Sequence, residues 1–571
     1  MRGCLAIALL AVLGCGPSSK AKPDGPGGGG GGGDDGGAPI DAPVASEMTC
    51  ATLTPVGSGA TCEITTGSTV KLLEGEVVTP STVYHGGQVA VSAAGVVTCV
   101  GCDCAMGGET VISCPDATIS PGLIDTHDHI TYAQNSPTPP STERFDDRQQ
   151  WREGLDGHTN LDAPGGASAD EIRWGELRHL MGGETSIVAS GGENGLVRNL
   201  DKSSEEGGLG ESAVFFDTFP LDDTSGTRRT TDCNYGGSPE TAAQLANEAA
   251  YEPHTSEGVD ATAHNEFLCE SSATYDTTTP GTSNDIAIGK TSMIHAVALE
   301  PADYQLMAHD GVGMVWSPRS NISLYGDTAR ITVASRLGVN IALGTDWMPS
   351  GSMSLLRELA CADSYNQTYM GSYLSDQDLW SMTTTNAAKV TKMDNSIGTL
   401  AKGMTADISV FKGHGKNAFR TVIEAQPDDV VLVMRAGTTL YGDDALVSKL
   451  ALGCDQVAVC GTAKRVCLTT EISETLAALT TSVGSGAYPA FACGTPTNEP
   501  TCIPSRPTAV AGSTIYTGAP AADDMDGDGI PDATDNCPTV FNPIRPMDNG
   551  KQPDADSDGT GDACDTTPLA P

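Results

Sequence analysis

The chain has 571 residues, of which 39% are hydrophobic, and a formal net charge of −42 at pH 7. It is long enough to bury one large domain and several smaller ones. The negative charge argues against nucleic acid and anionic lipid surfaces as partners, because both are polyanions, and it favours cations.

The N-terminal segment has the composition of a secretory signal. Residues 1–15 combine one positive charge with an apolar stretch of about ten residues, which is too short to span a membrane. The sequence VLGC resembles a bacterial lipobox, which implies lipidation of Cys15, with plain secretion as the alternative. Residues 16–48 are rich in Gly, Pro and Asp and are expected to form a flexible tether. These features predict an exported protein, held by a lipid anchor at the outer membrane or surface of a bacterium.

Cysteine usage agrees with export. Of the 18 cysteines, sixteen remain when the two in the signal segment are left out, and an even number predicts disulfides in an oxidising compartment. The spacing of one cluster would also suit a zinc site, formed by Cys99, Cys102, Cys104 and Cys114. We expect disulfides there, because exported thiols usually pair.

The central part of the chain predicts an α/β fold. Residues 49–115 and 395–450 contain short alternating apolar runs broken by Gly and Pro, which is typical of β-strands. Residues 116–394 alternate strands with helical stretches over about the length of a (β/α)8 barrel. Eight candidate strands are PGLID, TSIVAS, GLVRNL, AVFFDTF, AAYEPH, TSMIHAVA, VGMVWS and VNIALGTD. The simplest architecture is a TIM barrel whose two flanks meet to form one small composite β domain.

Two further segments follow the composite domain. Residues 451–510 are rich in cysteine and predict a disulfide-stapled extension without assigned chemistry. Residues 511–571 contain the repeat D-x-D-x-D-G-x-x-D-x-x-D twice, starting at Asp524 and at Asp554. Carboxylates at alternate positions before a Gly direct oxygen atoms to one point, as Ca²⁺ requires. An acidic disordered tail is the alternative.

With Cys537 and Cys564, these repeats resemble thrombospondin type 3 repeats, in which disulfides tie calcium-bound loops. The resemblance implies that calcium is bound by ten carboxylates: Asp524, Asp526, Asp528, Asp532, Asp535, Asp554, Asp556, Asp558, Asp562 and Asp565.

Five chemically active side chains stand at the ends of predicted barrel strands. His127 and His129 follow the first strand, and two residues at this spacing point to the same face. An isolated H-x-H pair is weak evidence, but His254, His295 and Asp346 stand at the ends of later predicted strands. A parallel barrel gathers the carboxyl ends of its strands on one rim, so the five should be neighbours able to hold one metal ion.

The motifs PGLIDTHDH, HTSEGVD, MIHAVAL, SPRSN, LGTDWMPSGSMSLLRE, TTTNAAK and IGTLAKGMTADISVF run in the order of one family. From about Ser68 to Asp443 the chain resembles the amidohydrolase superfamily, and within it the cytosine deaminase and chlorohydrolase group. The resemblance implies a distorted (β/α)8 barrel with a composite β domain. It also implies that one divalent metal, zinc or else iron, is bound by His127, His129, His254 and Asp346.

The same resemblance assigns two further roles. His295 would contact the bound water or the substrate, and Glu257, three residues after His254, would shuttle protons to the leaving nitrogen. Dinuclear members have a carboxylated Lys at the end of the preceding strand, where this chain has none, so one metal is expected. Trp316 stands where many relatives have His-Cys-Pro and is expected to form a pocket wall. Arg198 is expected either in the pocket or in a surface salt bridge.

The expected function is an exported metal-dependent amidohydrolase that cleaves a C–N bond of a small cyclic or amidine-like compound, as a deaminase or a cyclic amidase. The alternative is a calcium-dependent surface or adhesion lipoprotein with a catalytically silent barrel. Five intact metal-binding positions favour the enzyme. We expect an enzyme to keep its activity when everything after Val510 is deleted. The sequence does not indicate an oligomeric state.

Overall fold

The computed structural model describes residues 44–57, 59–278, 282–416, 418–508 and 510–570. The predicted signal segment, lipidation at Cys15 and the tether up to residue 43 lie outside these ranges. Within them, none of the helices combines the length and the apolar composition that crossing a bilayer requires.

The strands are β1 (Ser46–Thr49), β2 (Glu63–Thr65), β3 (Lys71–Val78), β4 (Thr82–Val91), β5 (Val97–Gly101), β6 (Thr110–Pro121), β7 (Leu123–Asp125), β8 (Glu184–Ile187), β9 (Arg198–Asn199), β10 (Val214–Asp217), β11 (Ala250–Thr255), β12 (Ser292–His295), β13 (Gly313–Trp316), β14 (Ile341–Leu343), β15 (Ile408–Lys412), β16 (Val430–Arg435), β17 (Thr438–Asp443), β18 (Asp455–Val459) and β19 (Thr462–Val466). The α-helices are α1 (Arg148–Glu153), α2 (Ala169–Gly182), α3 (Ala261–Glu270), α4 (Pro301–Asp310), α5 (Pro318–Tyr325), α6 (Ile331–Arg336), α7 (Leu355–Tyr369), α8 (Asp376–Ser381), α9 (Thr385–Val390), α10 (Ala418–Ile423), α11 (Asp444–Leu450), α12 (Leu468–Ile472) and α13 (Leu476–Val483).

Strands β7 to β14 form a closed parallel barrel. They pair in the order β7-β8-β9 and β10-β11-β12-β13-β14. The amide of Val214 donates to the carbonyl of Leu200 at 2.9 Å and joins the two sheets, and Thr126 donates to Leu343 at 3.3 Å and closes the circle. All eight predicted strands and the α/β barrel are therefore confirmed. The barrel is distorted, because β9 has only two residues and the pairing of β7 with β8 shifts its register.

The interior of the barrel explains why these strands are almost continuously apolar. Each strand or its immediate continuation contributes one buried apolar side chain to a common cluster: Ile124, Val188, Leu200, Val214, Ala250, Ile294, Val315 and Ala342. Helices cover the outside, so both faces of each strand are buried and alternation with polar residues is lost. The first long helix, α2, begins at a capping box formed by Ser168 and Glu171 and ends at Gly183, whose φ of 93° suits glycine.

The two flanks of the barrel meet in one sheet, as predicted. Strand β6 from the N-terminal flank pairs antiparallel with β15 from the C-terminal flank, in the sheet order β1-β4-β3-β6-β15-β16-β17-β19-β18. Strands β18 and β19 belong to the cysteine-rich extension, so this extension prolongs the composite sheet through the pairing of β17 with β19. A disulfide between Cys361 on α7 and Cys502 ties the end of the extension to the barrel.

The expected disulfides are confirmed. They are Cys50–Cys102, Cys62–Cys114, Cys99–Cys104, Cys233–Cys269, Cys361–Cys502, Cys454–Cys467, Cys460–Cys493 and Cys537–Cys564. All four cysteines of the alternative zinc cluster are oxidised in this set. Oxidised sulfur cannot supply the thiolate that zinc requires, so the zinc alternative is wrong.

The C-terminal repeats pack against the barrel. The ring of Phe541 lies 5.6 Å from that of Tyr369 on α7. Arg545 is buried and forms an ion pair with Asp327, with 2.7 Å between Nε and Oδ2. Deletion after Val510 would remove this ion pair from the buried carboxylate of Asp327, and the retention of activity after that deletion stays a prediction.

Candidate metal centre and cavity

The structure brings the four predicted ligands together at the carboxyl ends of the barrel strands, and the fifth rim residue, His295, offers a nitrogen atom within 4.8 Å of those of His127 and His254. His127 Nε2 lies 3.1 Å from Asp346 Oδ1, and His129 Nε2 lies 3.6 Å from the same oxygen. His129 Nε2 and His254 Nε2 are 3.2 Å apart. The four side chains come from three different strand ends, those of β7, β11 and β14, so only the closed barrel assembles them.

This donor set fits a divalent transition metal. His254 Nδ1 lies 3.0 Å from the carbonyl oxygen of Asp217, and a carbonyl can only accept, so the proton sits on Nδ1 and the lone pair on Nε2. Both ring nitrogens of His127 are buried, and neither makes a hydrogen bond of normal geometry with the described residues, although Asp346 Oδ1 lies 3.1 Å from Nε2. Buried nitrogen atoms without partners are costly unless an ion satisfies them.

Burial also keeps the ligands in the protonation state that a metal needs. It lowers the pKa of His127 to about 4 and also lowers the pKa values of His129 and His254, so the three imidazoles are neutral. Burial alone would raise the pKa of Asp346, but His127 and the neighbouring histidines outweigh it and hold that pKa below its usual range. Neutral imidazoles and an ionised carboxylate are the forms that bind zinc.

A second layer of side chains fixes the loop that carries the two histidines after β7. Asp125 accepts hydrogen bonds from the amide of His127 at 3.1 Å and from the hydroxyl of Thr345 at 2.6 Å. Asp128 lies 3.2 Å from Nε2 of buried His179. These contacts hold both ends of the donor set, because Thr345 immediately precedes Asp346.

Phe216 on β10 packs against three of the candidate ligands, and β10 contains no lysine, as predicted. The centroid of its ring lies 5.7 Å from that of His127, 5.5 Å from that of His129 and 5.3 Å from that of His254. An apolar ring against three candidate ligands favours one metal ion over two.

A cavity of about 490 Å³ opens onto this donor set. Its walls include the aromatic side chains of Tyr132, Trp151, Phe219 and Trp347, and the rings of Trp151 and Trp347 are 5.2 Å apart. Glu257 and His295 also line it. The volume lies in the range of small-molecule sites.

Glu257 and His295 are each held by a hydrogen-bond partner on helix α5. Tyr325 donates its hydroxyl hydrogen to Glu257 Oε1 at 2.7 Å, and Glu257 Oε2 lies 3.7 Å from His295 Nε2. His295 Nδ1 lies 3.0 Å from the side-chain oxygen of Asn321, which places the proton of the neutral ring on Nδ1. Of these two partners, Asn321 belongs to the recognised SPRSN segment, whereas Tyr325 has no motif that could have identified it.

Two expectations about nearby residues are wrong. Trp316 does not line the cavity but is fully buried, and its Nε1 donates to the hydroxyl of Thr328 at 2.7 Å. Arg198 is neither in the cavity nor on the surface, because it forms a buried bidentate ion pair with Asp407 at 2.8 and 3.0 Å. This ion pair connects β9 of the barrel to the residue before β15 of the composite domain.

The acidic repeats form two loops with the same hydrogen-bonding pattern. In each, the first Asp accepts from the amide of the Gly five residues later, Asp524 from Gly529 at 3.0 Å and Asp554 from Gly559 at 3.1 Å. Carboxylate oxygens of the first three aspartates of each repeat lie within 4.8 Å of one another, namely Asp524, Asp526 and Asp528, and Asp554, Asp556 and Asp558. The other four predicted ligands accept hydrogen bonds from backbone amides and lie outside these triplets: Asp532, Asp535, Asp562 and Asp565.

Comparison with known proteins agrees with both resemblances. Residues 254–440 match the model of the amidohydrolase family, and residues 522–545 match that of the thrombospondin type 3 repeat. A 5-methylthioadenosine/S-adenosylhomocysteine deaminase of Caldicellulosiruptor saccharolyticus is 29% identical over 164 residues, 27% of this chain and 38% of the relative. One of Syntrophobacter fumaroxidans is 32% identical over 123 residues, 20% of this chain and 27% of the relative. The chain thus spans less than two fifths of the length of these curated relatives.

Among solved structures, a zinc-bound adenosine deaminase from Xanthomonas campestris has a TM-score of 0.46 and 17% identity, over 67% of this chain and 94% of its own. The zinc complex of atrazine chlorohydrolase from Arthrobacter aurescens has a TM-score of 0.47 and 18% identity, over 65% of this chain and 95% of its own.

Proposed function

We propose that this chain, which carries an amidohydrolase family domain, is a metal-dependent hydrolase of non-peptide C–N bonds in a small molecule. The observation that carries the proposal is the convergence of three histidines and one aspartate beside a cavity that also contains Glu257. A silent barrel has no physical reason to bury imidazole nitrogens without partners.

His127, His129, His254 and Asp346 would hold one divalent metal ion, with zinc preferred for this nitrogen and oxygen donor set and iron as the second choice. When bound, such an ion acts as a Lewis acid and provides a nucleophilic water at neutral pH. The phenyl group of Phe216 and the absence of a lysine on β10 favour a single ion.

Glu257 would carry the protons. Its Oε1 is occupied by the Tyr325 hydroxyl, so Oε2 is the atom that faces the reacting groups and takes up and returns a proton. His295 keeps its proton on Nδ1 through Asn321, so its Nε2 faces Glu257 and the cavity as an acceptor for a substrate hydrogen bond. This division of roles suits the attack of water on an sp² carbon and the departure of an amine.

The cavity favours a planar substrate. Four aromatic side chains form its walls, and flat rings stack on such walls with little loss of conformational freedom. We infer deamination of an aminated heterocycle rather than cyclic amide hydrolysis, from the single metal and the spacing of Glu257 after His254. The deaminases named as relatives make methylthioadenosine and similar aminated purines the first compounds to test.

The proposal also covers the location of the protein in the cell and the binding of calcium by its C-terminal repeats. Eight disulfides support an oxidising, exported location, and the VLGC segment supports lipid anchoring as the only membrane contact. The two aspartate triplets support calcium in the repeats. The acidic repeats would also suit a calcium-dependent adhesion role, but the converged metal-binding groups of the barrel argue against a silent scaffold.

The test measures metal content and ammonia release on the same purified full-length protein. About one zinc or iron per chain, together with ammonia release from an aminated heterocycle, is the expected result. Formation of a ring-opened amino acid from a cyclic amide, without release of ammonia, would replace deamination with ring opening. A protein without transition metal and without turnover would overturn the proposal.

A further inference from the structure

Arg545 lies in the segment between the two acidic loops and reaches into the barrel. Its side chain is 4% exposed. Nε contacts Asp327 Oδ2 at 2.7 Å, one terminal nitrogen donates to the carbonyl of Val297 at 2.7 Å, and the other donates to the carbonyl of Thr328 at 2.6 Å. The planar guanidinium group thus binds three partners in directions that a lysine could not match.

The first of the two carbonyl groups belongs to the turn that carries His295. His295 has a φ of 69° and Ala296 a φ of 48°, and Val297 follows directly. Two consecutive residues with side chains in the left-handed region persist only when the surrounding structure holds them. The hydrogen bond from Arg545 to Val297 fixes the exit of this turn.

The second carbonyl group belongs to a residue that reaches His295 from the other side. The hydroxyl oxygen of Thr328 accepts hydrogen bonds from Trp316 Nε1 at 2.7 Å and from Asn321 Nδ2 at 3.2 Å. The side-chain oxygen of Asn321 lies 3.0 Å from His295 Nδ1. A continuous series of contacts therefore runs from Arg545 through Thr328 and Asn321 to the imidazole ring.

We propose that Arg545 is a positioning residue for His295, supplied to the barrel by the C-terminal repeat segment. It sets the backbone of the turn after His295 and, through Thr328 and Asn321, the orientation of the ring. That the orientation of His295 matters for turnover rests on the proposed function. That Arg545 positions His295 does not depend on it. The repeats then complete the active site in addition to binding ions.

Another arginine at the same interface contacts the C-terminal segment but is not connected to His295 by a series of hydrogen bonds among the described residues. Arg336 at the end of α6 donates to the carbonyl of Ala563 at 2.8 Å, and no described hydrogen bond leads from it to His295. It is therefore the matched control, because its loss weakens docking of the same segment and leaves the series of contacts to His295 intact.

The experiment compares full-length Arg545→Met and Arg336→Met with the unchanged protein. The tautomer of His295 is measured by nitrogen-15 NMR of protein labelled at its histidines. The His295 signal is assigned as the one that is missing from the spectrum of His295→Gln. In Arg545→Met, the imidazole proton of His295 should move from Nδ1 to Nε2 or exchange between the two nitrogens. In Arg336→Met, it should stay on Nδ1. With a turned-over substrate, we expect kcat to fall about tenfold to hundredfold in Arg545→Met while KM changes less than about threefold, since misplaced groups lose rate before binding.

An unchanged His295 signal in folded Arg545→Met, or equal changes in both variants, would overturn the inference. If Arg545→Met does not fold, Arg545→Lys takes its place. Lysine keeps the charge beside Asp327 but carries its donors on one nitrogen, so it cannot hold the two carbonyl groups where the two separate terminal nitrogens of Arg545 hold them. A shifted His295 signal in Arg545→Lys then supports the inference and an unchanged signal refutes it. If no compound is turned over by the unchanged protein, the NMR result still decides the positioning, and only the proposed function fails.

Discussion

The hydroxyl group of Tyr325 donates a 2.7 Å hydrogen bond to Oε1 of Glu257 at the edge of the cavity. Trp151 Nε1 in turn donates to the Tyr325 oxygen at 2.8 Å. Burial and the charge of Glu257 raise the pKa of Tyr325 well above its ordinary value, so the phenol remains a donor throughout the neutral range. One oxygen of the carboxylate is thereby held while the other faces His295.

Replacing Tyr325 with Phe removes this donor and retains the ring. A hydrogen bond to a charged group contributes about 1.5–3 kcal/mol, so we expect kcat to fall about tenfold or more, with metal content and KM nearly unchanged. Tyr369→Phe is the control, because it loses a 2.7 Å hydrogen bond to Gly518 far from Glu257. Equal kinetics in the two variants would show that Tyr325 has only a packing role.

Glu257→Gln tests the proton carrier itself. The amide keeps the size of the side chain and an oxygen that can accept from Tyr325, but it cannot take up a proton. We expect turnover to fall by about 10²–10⁴ with the metal retained, as measured by steady-state kinetics and elemental analysis. Turnover near that of the unchanged protein would remove Glu257 from the mechanism.

His127→Ala tests the metal centre. The imidazole is completely buried and makes no hydrogen bond of normal geometry with the described residues, so its removal should cost the protein its transition metal. Elemental analysis should find about one ion per chain in the unchanged protein and much less in the variant. His309→Ala, at an 84% exposed side chain, should keep the ion. Full metal content in His127→Ala would place the ion elsewhere.

Calcium removal should make stability depend on pH. Burial and the neighbouring carboxylates raise the pKa of Asp526 to about 7 and that of Asp528 to about 8. Groups with raised pKa values in the folded state stabilise it while protonated, so this contribution is present at acidic pH and disappears as pH rises through 7 to 8. Bound calcium would offset the repulsion between the ionised carboxylates.

Calorimetry of calcium-depleted and calcium-loaded protein at pH 5 and pH 8 measures this effect. The increase in melting temperature caused by calcium should be larger at pH 8, and Asp528→Asn should reduce the difference between the two pH values. The same increase at both pH values would argue against carboxylate ligands in the loops.

Truncation after Val510 should destabilise the barrel. The carboxylate of Asp327 is buried and loses Arg545, and breaking a buried ion pair costs about 3–5 kcal/mol. We expect a lower urea midpoint for the truncated protein and partial recovery when Asp327→Asn removes the unpaired charge. A truncated protein with the stability of the full chain would mean that the repeats are an independent module.

The barrel could be predicted from sequence because each of its strands is indicated by a short stretch of neighbouring residues. Each strand is a short buried apolar run. His127, His129, His254 and Asp346 each lie at or just beyond the carboxyl end of one, so knowing that parallel strands share a rim was enough to expect them together. The composite β domain could be predicted because both flanks have β texture and the barrel between them leaves only each other as partners.

The other contacts could not be predicted because they join distant parts of the chain without a repeating pattern. Tyr325 is 68 positions from Glu257 and lies on a helix whose sequence fits many roles. In the sequence, Arg545 is a single positive charge in an acidic tail. Only the folded structure shows that it donates a hydrogen bond to the carbonyl of Val297, 248 positions earlier. The prediction that Trp316 forms a pocket wall was wrong for a related reason. Its position at the end of a strand does not determine whether its side chain points into the cavity or into the core.

The disulfides also constrain the order in which the chain can be completed. Cys99 and Cys104 are five positions apart and can join as soon as that segment exists, whereas Cys361 must wait for a partner 141 positions later. Closing such a long loop is entropically costly unless helix α7 and the extension already lie side by side. Oxidation of Cys361 and Cys502 therefore reports that the barrel has formed, which makes this pair a natural marker for following oxidative folding.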